Sequence, residues 1–378
     1  MRELRLVGFC VWVLVLAVGV SAQTTAAEYV ERGNSLRSSG QTAGAEQAYS
    51  KAIEIDKNFA PAYVERGELF IKANRHDAAI VDFTSAIALD ATLYRAYAGR
   101  AFSLGALHKF DEAIPDATKA IEIDPSKPEA YYARGLAHYS LLDFTAALPD
   151  LNQAIELGMK TASAYHNRGI AREATDDFLG GVIDATKAIE LDPTNLKFYA
   201  GRANSRRSYG DYAGAIADYN KVLEGTPQDT HLILARAWTR LFAEDNDGAY
   251  KDATEYIKMI GDTASESFYA KVVAYIALRK GKSDARAKAY LTQMLAKTSG
   301  DGWPYSILRF FAGQLTDKQL LDMAKGEFAP TEAHSAIGVK ALLDGDRDLA
   351  RTHLQWDHDH GSHKVIMHQL ARTEFARM

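Results

Sequence analysis

Apolar and small residues recur every three or four positions from Leu196 to Tyr209, stop at Gly210-Asp211, and resume from Tyr212 to Leu223. That is the pattern of two short amphipathic helices joined by a tight turn. Thr226-Pro227 then ends the second helix and restarts the chain. A shift of 34 residues brings the pattern back. Tyr29, Tyr63, Tyr97, Tyr131, Tyr165 and Tyr199 fall in one column; Arg32, Arg66, Arg100, Arg134, Arg168, Arg202 and Arg236 in another; Asp82, Asp116, Asp150, Asp184, Asp218 and Asp252 in a third. Self-similarity at one fixed period predicts an all-α solenoid of helical hairpins, each burying its apolar face on the next.

Seven units share the register: 26–59, 60–93, 94–127, 128–161, 162–195, 196–229 and 230–263. In the second, Tyr63, Gly67, Ala79, Phe83 and Ala86 set an aromatic, a small residue, an alanine, an aromatic and an alanine at fixed offsets. Small residues let the two helices of a hairpin approach, and aromatics fill the gap between neighbours. Pro125, Pro193 and Pro227 stand where a helix must stop. These positions resemble the tetratricopeptide repeat. The resemblance implies a right-handed superhelical solenoid whose concave face is lined mainly by the first helix of each hairpin.

Beyond residue 263 the register loosens. Over 264–330 the pattern predicts a degenerate hairpin, Ser265–Leu278 with Ser283–Ala296, then short helices over 305–312 and 316–325. A final hairpin, Thr331–Leu343 with Asp346–Trp356, leads through a polar loop, His358–Ser362, to an amphipathic helix over His363–Met378 placed to cap the stack. This third of the chain resembles bacterial periplasmic repeat proteins of the NlpI-like type. The likeness rests on Gly302-Trp303-Pro304, on the run from Phe310 to Thr316, on Leu320-Leu321, on Leu343-Asp344-Gly345-Asp346 and on Ala371-Arg372-Thr373-Glu374-Phe375. It implies an adaptor that holds cell-wall hydrolases or other envelope proteins.

Residues 1–22 read as a signal peptide. Arg2 and Arg5 precede an unbroken low-polarity run from Leu6 to Val20, and Val20-Ser21-Ala22 offers a cleavage site, so the mature chain is expected to begin at Gln23 in a periplasmic or secreted compartment. The run is short for a bilayer span of ~20 residues, and retention as an uncleaved anchor is the alternative. Cys10, the single cysteine, lies in that run without a lipobox, so the mature chain has neither a disulfide nor a thiol nucleophile. A formal net charge of −5 over 378 residues gives no general drive toward nucleic acid.

The Arg and Asp columns place Arg66, Arg100, Arg134, Arg168, Arg202 and Arg236 on first helices, and Asp82, Asp116, Asp150, Asp184, Asp218 and Asp252 on second helices. They are expected to form a structural ladder of ion pairs, since a guanidinium fork satisfies a carboxylate and a further acceptor together. On the expected inner face stand Arg95, Tyr132, His166, Asn167, Lys197, Asn204 and Arg207, mixed with Glu31, Glu65, Glu129 and Glu173. These are the partner-binding residues the pattern nominates, with an ordinary solvated face as the alternative. His358, His360 and His363, with Asp357 and Asp359, are dense enough in imidazole and carboxylate to suggest zinc or copper. No cofactor is implied, and no nucleophile elbow, phosphate loop or HExxH is present.

The expectation is therefore a non-catalytic scaffold binding envelope proteins or peptides, with no membrane span once the leader is removed. Its alternatives are an accessory subunit of an export or wall-remodelling complex, and a metal- or carbohydrate-binding protein using the histidine-rich end. Self-association through apolar edges of 264–330 is a further expectation.

Overall fold

A computed structural model describes residues 24–297, 302–362 and 365–378. The leader over 1–22 and His363 lie outside the described residues. The described residues form two compact bodies, divided between Ala137 and His138.

The N-terminal body stacks helices in pairs: α1 (Ala26–Ser38) with α2 (Thr42–Ile55), α3 (Ala60–Lys72) with α4 (His76–Leu89), and α5 (Tyr94–Ala106) with α6 (Phe110–Ile123); the division between bodies falls inside α7 (Pro128–Ser140). The C-terminal body continues with α8 (Phe144–Glu156), α9 (Ala162–Ala174) with α10 (Phe178–Leu191), α11 (Leu196–Tyr209) with α12 (Tyr212–Gly225), and α13 (Thr230–Phe242) with α14 (Asn246–Ile260). After one 3-10 turn come α15 (Phe268–Lys280), α16 (Asp284–Lys297), α17 (Ser306–Phe311), α18 (Asp317–Met323), α19 (Ala329–Asp344), α20 (Arg347–His360) and α21 (Ile366–Phe375). All regular structure among the described residues is helical.

Local chemistry explains the boundaries. Second helices begin at acceptor caps: Asp143, Asp177, Asp211 and Asp245 each take the backbone N–H three residues on. They end at Asp56, Asp90, Asp124 and Asp192, whose carboxylates accept the N–H of Asn58, Thr92, Ser126 and Thr194 and fold the link to the next hairpin. Between the two helices of a hairpin the chain turns through a left-handed residue. The corner recurs at Gly40, Asn74, His108, Leu142, Asp176, Gly210 and Glu244, one per repeat, although only two of the seven are glycine.

Inside a hairpin the small column faces the aromatic column. A Cβ on Gly67 would stand 2.8 Å from the Phe83 ring. Ala79, Phe83 and Ala86 are buried with it. The C-terminal body has a broader core. In α15, every residue from Ala270 to Leu278 is buried; α19 is similarly enclosed, and both belong to one cluster reaching from Leu223 to Ala371. A helix apolar on all sides is an interior helix. Among the described residues of 264–330, Phe328 is the exposed large hydrophobic.

One expectation changes. The loop read over His358–Ser362 is in part helix, because α20 runs through His360. The last helix covers the final hairpin and also reaches back along the stack. It lies against α19 and α20 on one side and across the ends of α11, α13 and α15 on the other, because those ends offer carbonyls and charges that its side chains meet.

Candidate functional site

The arginine and aspartate columns meet within five of the hairpins. Arg66 donates through Nε and Nη2 to the two oxygens of Asp82 at 2.7 and 2.8 Å. Arg100 does the same to Asp116, Arg168 to Asp184, Arg202 to Asp218 and Arg236 to Asp252, all between 2.6 and 2.9 Å. The remaining Nη1 reaches back to the preceding second helix: Arg66 to Ser50, Arg100 to Thr84, Arg134 to Thr118, Arg168 to Asn152, Arg202 to Thr186 and Arg236 to Asn220. One side chain therefore staples three helices. Asp150 is buried on α8. In the C-terminal body a second row joins: Arg172, Arg206 and Arg240 donate to Asp184, Asp218 and Asp252 at 2.9, 2.7 and 2.9 Å. Sequence reading missed this row, although its members also stand 34 residues apart. Both rows are spent on the scaffold.

On the first-helix face of the N-terminal body, charges cross from hairpin to hairpin. Glu65 on α3 is bracketed by Arg37 of α1 and Arg95 of α5, each at 2.8 Å, and Arg95 Nε also donates to Glu68 at 2.8 Å. Burial alone would lower Arg95; its bonds to the two glutamates hold it above the usual arginine value. Further along, Phe102 on α5 is 40% exposed, its ring centroid 6.0 Å from that of His76 on α4. Tyr132 on α7 is half-buried, and Glu31 and Glu129 are exposed.

In the C-terminal body the nominated residues divide. His166 packs on Phe198 with ring centroids 4.9 Å apart, and burial, aided by Lys197, lowers its pKa. Asn167 is half-buried on α9 and Lys197 is exposed on α11. Asn204 is tied to its own hairpin: its Oδ1 accepts the Tyr219 hydroxyl at 2.7 Å, as Asn34 accepts Tyr49 at 2.8 Å. Burial raises the Glu173 carboxyl, with Arg207 opposing.

The carbonyl of Arg207 accepts from Gln369 of α21 at 3.0 Å. Thr373 meets the Tyr212 hydroxyl, Glu374 pairs with Lys280 at 2.7 Å, and Arg377 donates to the Phe242 carbonyl at 2.5 Å. Helix C-termini leave carbonyls without intrahelical donors, and side chains on and just beyond α21 supply them. Met367, Leu370 and Ala371 are buried beneath it. The chain's own last helix thus meets the ends of first helices α11, α13 and α15, one of them at the nominated Arg207.

His363 lies outside the described residues, and His358 and His360 lie on α20. Two residues apart on a helix they point about 200° apart; His358 lies beside Phe375, and His360 stacks on Trp356. Among the described residues no three His, Cys, Asp or Glu side chains converge on one point. Ser335, Asp357 and His368 resemble a hydrolytic set, but here the aspartate is central: it accepts from Ser335 at 2.7 Å and faces His368 Nδ1 at 2.7 Å. In a hydrolytic triad the histidine stands between the other two. This buried cluster ties α19, α20 and α21 together.

Two family profiles match the chain: one described as TPR repeat over residues 33–73 and 104–141, and one described as tetratricopeptide repeat over 60–93 and 128–157. The chain carries tetratricopeptide repeats. No curated protein sequence matches it. Among solved structures it is similar to YrrB, described as a TPR protein with an unusual peptide-binding site, at 21% identity over 50% of this chain and 98% of that one, with a TM-score of 0.45. It is also similar to a tetratricopeptide repeat protein from Parabacteroides merdae (20% identity, 67% and 98% covered, TM-score 0.43). A third is Pseudomonas aeruginosa pilF (16% identity, 54% and 93% covered, TM-score 0.48).

Proposed function

We propose that this protein is a non-catalytic scaffold that holds partner proteins or peptides on the first-helix faces of its hairpins. The observation that carries the reading is α21. The ends of first helices α11 and α13 already receive a helix, whose Met367, Leu370 and Ala371 are buried and whose neighbouring side chains donate to carbonyls there. In the N-terminal body the corresponding face keeps Phe102 exposed beside a preformed Arg37–Glu65–Arg95 network. Stapled hairpins lose little ordering entropy when a partner docks, so the binding surface is available in advance. The basic head, apolar run and small-residue site over 1–22 support a bacterial envelope location. The NlpI-like motifs of the C-terminal third support an adaptor for envelope enzymes.

Affinity capture from an envelope fraction tests this. Phe102→Ala should lose the captured partner, whereas Val81→Arg on the 65% exposed outer position of α4 should keep it, both variants retaining helical circular dichroism. Capture unaffected by Phe102→Ala would overturn the assignment of the face.

A further inference from the structure

Away from the first-helix face, four rings stack on the surface of α19 and α20. His334 lies parallel to Trp356 at 3.7 Å between centroids and 14° between planes; His353 is 4.9 Å from His334, and His360 is 5.1 Å from Trp356 on its other side. His334 and His353 turn the same nitrogen toward each other, with Nδ1 to Nδ1 at 3.1 Å. Both are half-buried and so reachable from solvent.

A neutral pair in this arrangement shares one hydrogen between two ring nitrogens. If the donor ring moves that hydrogen to its Nε2, both Nδ1 lone pairs become free without net loss of a proton. Two nitrogens 3.1 Å apart, each about 2.05 Å from a metal ion, subtend about 98° at it. That lies between square and tetrahedral coordination. Trp356 holds the His334 ring in place, as outer partners orient metal-binding imidazoles.

We propose that His334 and His353 form a two-imidazole chelate for a borderline transition-metal dication, with water completing its shell. Copper(II) ranks first among such ions for nitrogen donors, ahead of zinc and nickel. The site differs from the histidines that sequence density nominated, and it is independent of the scaffold role.

Copper(II) sulfate titrated into the purified protein provides the test, because Trp356 lies against a ligand ring and its fluorescence should be quenched. The expected result is one ion bound per chain, with electron paramagnetic resonance showing two equivalent nitrogens. His353→Gln should lose that ion and the quench. Trp356→Phe should keep the two-nitrogen signal and lose most of the quench, and His358→Gln should match the wild type. Absence of bound copper, or the same two-nitrogen signal in His353→Gln with unchanged circular dichroism, would overturn the site.

Discussion

Asp184→Ala probes the staple that holds the hairpins together. The Asp184 side chain is 1% exposed and accepts from Arg168 Nε and Nη2 and from Arg172 Nη1 at 2.7–2.9 Å. Truncation leaves two guanidinium groups facing an apolar gap. Removing one partner of a buried ion pair costs about 3–5 kcal/mol. Arg168 and Arg172 keep 13% and 23% exposure and can turn toward water, and Arg168 retains Asn152, so the low end applies, about 3 kcal/mol. For a body of this size each kcal/mol moves the melting temperature by about 2–4 °C, giving a fall of about 6–12 °C. Glu190→Ala is the control on the same helix. Its pair with Lys187 is 2.8 Å long but exposed on both sides, and such pairs contribute about 0.2–1 kcal/mol. Differential scanning fluorimetry with urea titration reads both variants, and Asp184→Asn, which keeps an acceptor, should fall between them. Equal melting of Asp184→Ala and Glu190→Ala would refute the idea that these paired columns hold the stack.

Three other outcomes follow from named contacts. Leu142 holds a left-handed corner at φ +62° while 74% exposed; Leu142→Gly should therefore raise stability by about 0.5–1 kcal/mol, the steric relief outweighing glycine's entropy, as seen in a higher melting temperature. Leu370, wholly buried on α21, should cost about 2–5 kcal/mol on truncation to alanine, with faster hydrogen exchange concentrated in 366–375. Burial raises Glu173 above its ordinary 4.5, so the folded state binds its proton more tightly than the unfolded chain; that contribution is complete below pH 4.5 and fades as pH rises through the folded value. Glu173→Gln should accordingly melt higher than wild type near pH 7 and show no such advantage near pH 4.

The hairpins were legible because period and composition agree: tyrosine, arginine and aspartate repeat in register, and their spacing alone identifies which helices carry them. The left-handed corners were not, since Gly40, Asn74, His108, Leu142 and Glu244 share a backbone shape imposed by the stack and no common residue type. Local pattern also misplaced the end of α20. Asp357, His358, Asp359 and His360 read as loop residues, yet Asp357 is buried between Ser335 and His368 and Trp356 stacks on His334, so tertiary contacts hold the helix. The docking of α21 lay furthest from view. Its bond from Gln369 to Arg207 spans 162 positions, and periodicity carries no information at that range. Asn204 shows the same limit on a smaller scale: a polar residue at an inner-face position turned inward because a tyrosine hydroxyl needed an acceptor.

The most direct test of the scaffold reading is a photocrosslinking amino acid placed in the living cell at position 102, on the first-helix face, and at position 81, on the outer face of the same body. The account predicts a discrete set of protein crosslinks at 102 that is missing at 81. Equal crosslinking at both positions, or crosslinks at 81 alone, would contradict it.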